Sequence, residues 1–117
     1  MSTYTDTYTT RQLCDMAGIT YRQADYWVRC GYLRTTGPAL GSGRHRHHPA
    51  SELRVARGLA QLLRAGCSCA AEVADTLRDL PDSWAAPVLL DATGRRTADL
   101  ARARWVCQLD PLPLTAA

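Results

Sequence analysis

Lysine, asparagine and phenylalanine are absent from this 117-residue chain. All 14 basic residues are therefore arginine. The planar guanidinium forks toward phosphate oxygens and guanine edges, where lysine would offer only a point charge. Long apolar runs are missing as well. Ala85-Ala86 and, beyond Pro87, Val88-Leu89-Leu90 fall far short of the ~20 residues that cross a bilayer. Nothing near Met1 pairs a basic segment with an apolar one, so no secretory signal is visible and a soluble, cytoplasmic protein is expected. The five cysteines are an odd number without a secretory context, which argues for reduced thiols rather than a disulfide framework. Catalytic constellations are lacking too: no glycine-rich phosphate loop, no Ser-His-Asp spacing and no paired carboxylates on a stable scaffold. Asp75 and Asp79 share a helix face at i, i+4, which reads as solvated surface. Neither an enzyme nor a cofactor is expected.

What is present suffices for one domain, or for one small domain with an appendage. Hydrophobic residues make up 46% and charged residues 21%, which excludes wholesale disorder. The net charge of +3 is unevenly placed. Residues 1–66 carry nine arginines against four acids, and residues 67–117 carry five against seven. A basic first half followed by a mildly acidic second half suits a module that faces a polyanion and a tail employed differently.

Residues 1–7 have no apolar pattern beyond Tyr4 and are expected to be disordered. Thr9 or Thr10 can cap a short helix that runs to about Ala17, with Leu13, Cys14 and Ala17 on one face and Gly18 as its stop. Ile19 plugs the turn. Thr20 caps a second helix from Tyr21 to about Cys30, with Ala24, Trp27 and Val28 inward, and Gly31 ends it. Two short helices this close, with small residues beside the turn, form a helix-turn-helix pattern.

Gly31-Tyr32-Leu33-Arg34, a loop rich in glycine and proline, and Arg44-His45-Arg46-His47-His48 then read as a two-stranded β-wing. Pro49 opens a third helix to about Ala65, with an inward stripe of Leu53, Ala56, Ala60 and Leu63. Ser68 can cap a fourth helix from Cys69 to Leu80, with Val73, Leu77 and Leu80 inward. Residues 87–91 and 104–109 are strand-like and suggest a C-terminal β-hairpin. The expected class is mainly α: four short helices plus a β-wing over residues 8–80, and a strand-rich extension over residues 81–117 that offers a surface for dimerisation or for a protein partner.

These elements resemble the MerR-like winged helix-turn-helix family. The resemblance is carried by Tyr8-Thr9-Thr10-Arg11-Gln12-Leu13-Cys14, Ala17-Gly18-Ile19-Thr20, the aromatic pair Tyr26-Trp27, Gly31-Tyr32-Leu33, and Gly43-Arg44-His45-Arg46-His47 as the wing strand. Each fragment alone is weak; their order and spacing carry the match, which extends to Leu80. It implies that the second helix enters the major groove of double-stranded DNA while the wing touches backbone and minor groove. Two features depart from the family. Asp25 stands where an arginine often precedes the aromatic pair, and Pro81 and Pro87 leave no room for the long dimerisation coiled coil of larger members.

The candidate DNA-contacting residues are Thr10, Arg11, Thr20, Tyr21, Arg22, Gln23, Tyr26, Arg29, Arg34, Arg44, His45 and Arg46. Tyr21, Arg22 and Gln23 occupy the first turn of the second helix, the part that reaches base edges when such a helix docks. Arg22 suits guanine or phosphate and Gln23 suits adenine, against the alternative of a solvated helix face. Arg29 and Arg34 are placed to hold phosphates, although an ion pair with Asp25 would explain Arg29 equally well. Tyr26 is expected to pack its ring and bond through its hydroxyl, and Trp27 belongs to the core. Arg44, His45 and Arg46 are the wing's phosphate or minor-groove candidates. His47 would replace a packed tyrosine, and His48 reads as structural.

Cys67, Cys69 and Cys107, with the histidines, evoke a thiol metal site. The Cys-x-Cys spacing and the lack of a fourth ligand speak against structural zinc, and small apolar packing is the simpler role for all five cysteines. The expectation is therefore a DNA-binding transcriptional regulator, acting as a homodimer or a cooperative DNA-bound oligomer. An excisionase-like architectural factor and a protein-interaction adaptor are the alternatives.

Overall fold

A computed structural model describes residues 7–36 and 46–110. Among these residues it contains four helices and two small antiparallel sheets. Strand β1 (Thr7–Thr9) leads directly into α1 (Thr10–Ala17), followed by α2 (Tyr21–Arg29), β2 (His47–Pro49), α3 (Ser51–Arg64), α4 (Ala70–Arg78), β3 (Val88–Leu90) and β4 (Trp105–Cys107). No described helix is long and apolar enough to cross a membrane.

The first two helices follow the capping chemistry. The Thr9 hydroxyl accepts from the Gln12 amide at 3.1 Å, and the Gln12 side-chain oxygen accepts from the Thr9 amide at 2.9 Å, a complete capping box. Gly18 ends α1 in the left-handed region (φ 71°), and the Thr20 hydroxyl accepts from the Gln23 amide to start α2. Leu13, Ala24 and Trp27 bury the shared face, and Ile19 fills the turn.

The sheets differ from expectation. Thr7 pairs with Pro49, Tyr8 with His48, and Thr9 with His47, so β1 is the strand partner of β2 and Thr7 belongs to the fold. The expected strand at Tyr32–Arg34 does not form, because its backbone is engaged elsewhere: the Arg34 amide donates to Glu52 and the Arg34 carbonyl accepts from His48. The glycine loop of the expected wing, with Arg44 and His45, lies outside the described residues, as do residues 1–6. The C-terminal hairpin forms as expected, with Val88 opposite Cys107 and Leu90 opposite Trp105.

Helix α3 is the axis of the core. Leu53, Val55, Ala56, Leu59 and Leu62 are all buried, a wider face than the expected stripe, and Leu63 is only half-buried. Helix α4 begins after Cys69 without a side-chain cap, so Ser68 does not cap it. Val88, Leu90, Cys107 and Leu109 join the same apolar cluster as α1, α3 and α4. Residues beyond Pro81 thus complete the core shared with the preceding helices. The contact is close at Gly58, where an added Cβ would collide with Leu77 Cδ1 and stand 3.4 Å from Cys107 Sγ. Gly58→Ala should therefore lower unfolding free energy by ~1–3 kcal/mol in urea titration, since the fully enclosed Leu77 must shift within the core to admit the methyl group.

Two charged side chains, Glu52 and Arg54, are buried in this core, and Arg78 is nearly so. Glu52 accepts from the Arg34 amide at 2.7 Å and from Arg78 through Nε at 2.9 Å and Nη2 at 2.8 Å. Arg78 also donates to the Tyr32 carbonyl and to Asp75. Arg54 donates to the Leu77, Leu80 and Pro81 carbonyls, closing the C-terminal end of α4. The strand–helix junction holds His48, fully enclosed, between the Arg34 carbonyl on Nδ1 (2.8 Å) and the Thr10 hydroxyl on Nε2 (2.9 Å). A carbonyl only accepts, so Nδ1 carries the proton and Nε2 accepts from Thr10.

Burial holds the His48 imidazole below its ordinary pKa, outweighing the carbonyl bond and the attraction of Glu52. The unfolded chain therefore takes up a proton at a pH where the folded one does not. The His48 contribution should make unfolding free energy fall as pH drops below about 6.5, and stay level above it. His48→Gln should flatten that slope in chemical denaturation across the same window.

Candidate nucleic-acid interface

The two capped helices fix the outward face of α2 relative to α1. The Cys14 thiol donates to the Thr20 carbonyl across the turn. From α3, Arg57 donates to the Met16 carbonyl at 3.2 Å and Arg64 to the Gly18 carbonyl at 3.5 Å, bracing the turn from behind. With Ala24 and Trp27 inward, helical spacing leaves Tyr21, Arg22, Tyr26 and Arg29 exposed on the other side. An open groove of about 580 Å³ runs beside the start of α2, lined among others by Thr9, Arg11, Asp15, Ile19 and Tyr21.

At the centre of that face sits Asp25. One carboxylate oxygen takes Arg46 Nη1 at 2.6 Å and the other takes Arg29 Nη2 at 3.0 Å. Arg46 immediately precedes β2, so the pair fastens the root of the expected wing to α2. The Arg46 side chain is only 18% exposed and that of Arg29 is 74% exposed. The former is largely a fixed contact, whereas the latter is free to exchange partners with solvent or ligand.

The candidate residues divide accordingly. Arg11, Thr20, Tyr21, Arg22, Tyr26, Arg29 and Arg34 are exposed, and Gln23 is half-buried. Thr10 is not a surface residue: it is 2% exposed and bonded to His48, because the ring needs a hydroxyl partner at the β1–α1 junction. Thr20 holds its place chiefly as the α2 cap. Tyr26 is 61% exposed rather than packed, because Ala24 and Trp27 already occupy the inner face, and the neighbouring Cys30 thiol raises the pKa of its hydroxyl. His47 is exposed, not packed like a tyrosine, because strand alternation turns its neighbour His48 inward. Arg44 and His45 lie outside the described residues.

All five thiols are free. Cys14, Cys67 and Cys107 are buried, and burial pushes the Cys107 thiol up to about 11. Cys30 is exposed at the end of α2, so it does not serve the apolar packing expected of it. Cys69 donates to the Ala92 carbonyl. Among the described residues no three His, Cys, Asp or Glu side chains cluster to hold a metal ion.

Three engaged groups escape a reading of the sequence: the Asp25–Arg46 pair, the Glu52–Arg78 pair and the Arg54 brace. Glu52 and Arg54 flank Leu53 within an apolar helix, which is the only signal that their charges face inward. No protein-family model matches the chain, and no curated protein matches it either.

Proposed function

We propose that this chain is a sequence-specific, double-stranded-DNA-binding transcriptional regulator of the winged helix-turn-helix type, acting in the cytoplasm. The observation that carries the reading is the exposed first turn of α2, with Tyr21 and Arg22 outward, set on a second helix packed across a tight Gly18 turn and flanked by Arg29 and Arg46. A helix so supported presents its N-terminal side chains to base edges in the major groove. Arg22 suits a guanine edge. Arg11, Arg29 and Arg34 suit the phosphates on either side. One copy offers a small footprint, so useful affinity requires a homodimer or cooperative neighbours on DNA.

The test is a selection from random duplexes at several salt concentrations with the full chain. An enriched motif, and an affinity that falls steeply with salt, support the proposal. Enrichment of repeated adjacent sites, together with bending of the duplex, would favour an architectural, excisionase-like role for the same surface. A protein-interaction adaptor draws on a different observation: Val106 and Leu100 are 63% and 78% exposed around the hairpin. The absence of any duplex binding at low salt would favour that reading.

A further inference from the structure

Asp25 is the only acid in α2, and two arginines converge on it. Its carboxylate offers both guanidinium groups the oxygen geometry that a DNA phosphate would offer. We infer that Asp25 is an internal counter-ion of the DNA-binding face, which holds Arg29 and Arg46 against α2 and thereby keeps the affinity for duplex of any sequence low. This inference rests on the DNA-binding reading.

The physical case is one of competition. Arg46 and Asp25 are both largely withdrawn from water, with side chains 18% and 24% exposed, so their bond is less screened than a fully exposed pair. A duplex approaching α2 must either draw the arginines from Asp25 or bring its own phosphates toward a carboxylate. Both raise the free energy of the complex. The penalty arises from backbone charge, which every duplex carries, and so it applies alike to preferred and arbitrary sequences. Base reading by Arg22 is a separate contribution, because Arg22 stands three residues ahead of Asp25 and forms no ion pair with it.

Asp25→Asn tests this directly, read by fluorescence anisotropy of labelled duplexes across a salt series. The variant should bind both a selected and a scrambled duplex ~10-fold more tightly, with a salt slope steeper by about one to two units and an unchanged sequence preference. Adding Arg29→Ala and Arg46→Ala in that background should remove the gain. Thermal unfolding of each variant confirms that it is folded, and Asp25→Ser takes the place of Asp25→Asn if the latter does not fold. If the wild type binds duplex and the folded Asp25 variant binds no more tightly, the inference is overturned while the DNA-binding reading stands. If neither binds any duplex at low salt, the DNA-binding reading fails and takes the inference with it.

Discussion

Glu52→Gln should lower the unfolding free energy by ~3–5 kcal/mol, the range seen when one member of a buried ion pair is removed. Glu52 is fully enclosed and receives three donors from outside its own helix turn: the Arg34 amide and two nitrogens of Arg78. The amide of glutamine keeps the shape but carries no charge, and its NH₂ group opposes the guanidinium it would face. Among the described residues, Asp75, whose side chain is 72% exposed, would then be the one ion-pair partner left to Arg78, beside the Tyr32 carbonyl. Urea unfolding measures the loss. A cycle with Arg78→Met should return a coupling energy of roughly 0.5–3 kcal/mol, as expected for groups in one network. Because Glu52 also holds the Arg34 amide, the link between α2 and β2 should loosen in the same variant, with faster amide exchange at Arg34.

Arg22→Ala should weaken binding to a selected duplex by ~1–3 kcal/mol, with relaxed preference at one base position. Arg22 is exposed in the first turn of α2 and its side chain makes no hydrogen bond among the described residues, so its loss leaves the fold intact. Thermal unfolding should therefore coincide with that of the wild type. Repeating the random-duplex selection with the variant separates the two roles open to a guanidinium. A changed motif marks base reading, and an unchanged motif with a shallower salt slope marks a phosphate contact.

The first two helices and the turn between them were legible because their signals are local. Thr9, Gly18 and Thr20 act within one turn of where they stand, and Leu13, Ala24 and Trp27 repeat with helical spacing. The hairpin was legible from two short apolar runs. The pairing of β1 with β2 was not, since three-residue strands almost forty positions apart carry no readable period. Buried charge was hidden for a similar reason. Glu52, Arg54 and Arg78 look like solvated helix positions until tertiary contacts bring carbonyls and a partner to them. At the candidate interface, Asp25 and Arg29 were legible as an i, i+4 pair, whereas Arg46 joins them only through the fold.

The most direct measurement is a titration of the isotope-labelled full chain with a selected duplex, followed by two-dimensional NMR. Binding through α2 should shift the amides of Tyr21–Arg29 and of Arg46 and His47 first, and leave those of the β3–β4 hairpin nearly unmoved. Shifts confined to residues 88–107, with α2 unchanged at saturation, would contradict a DNA-binding face on that helix.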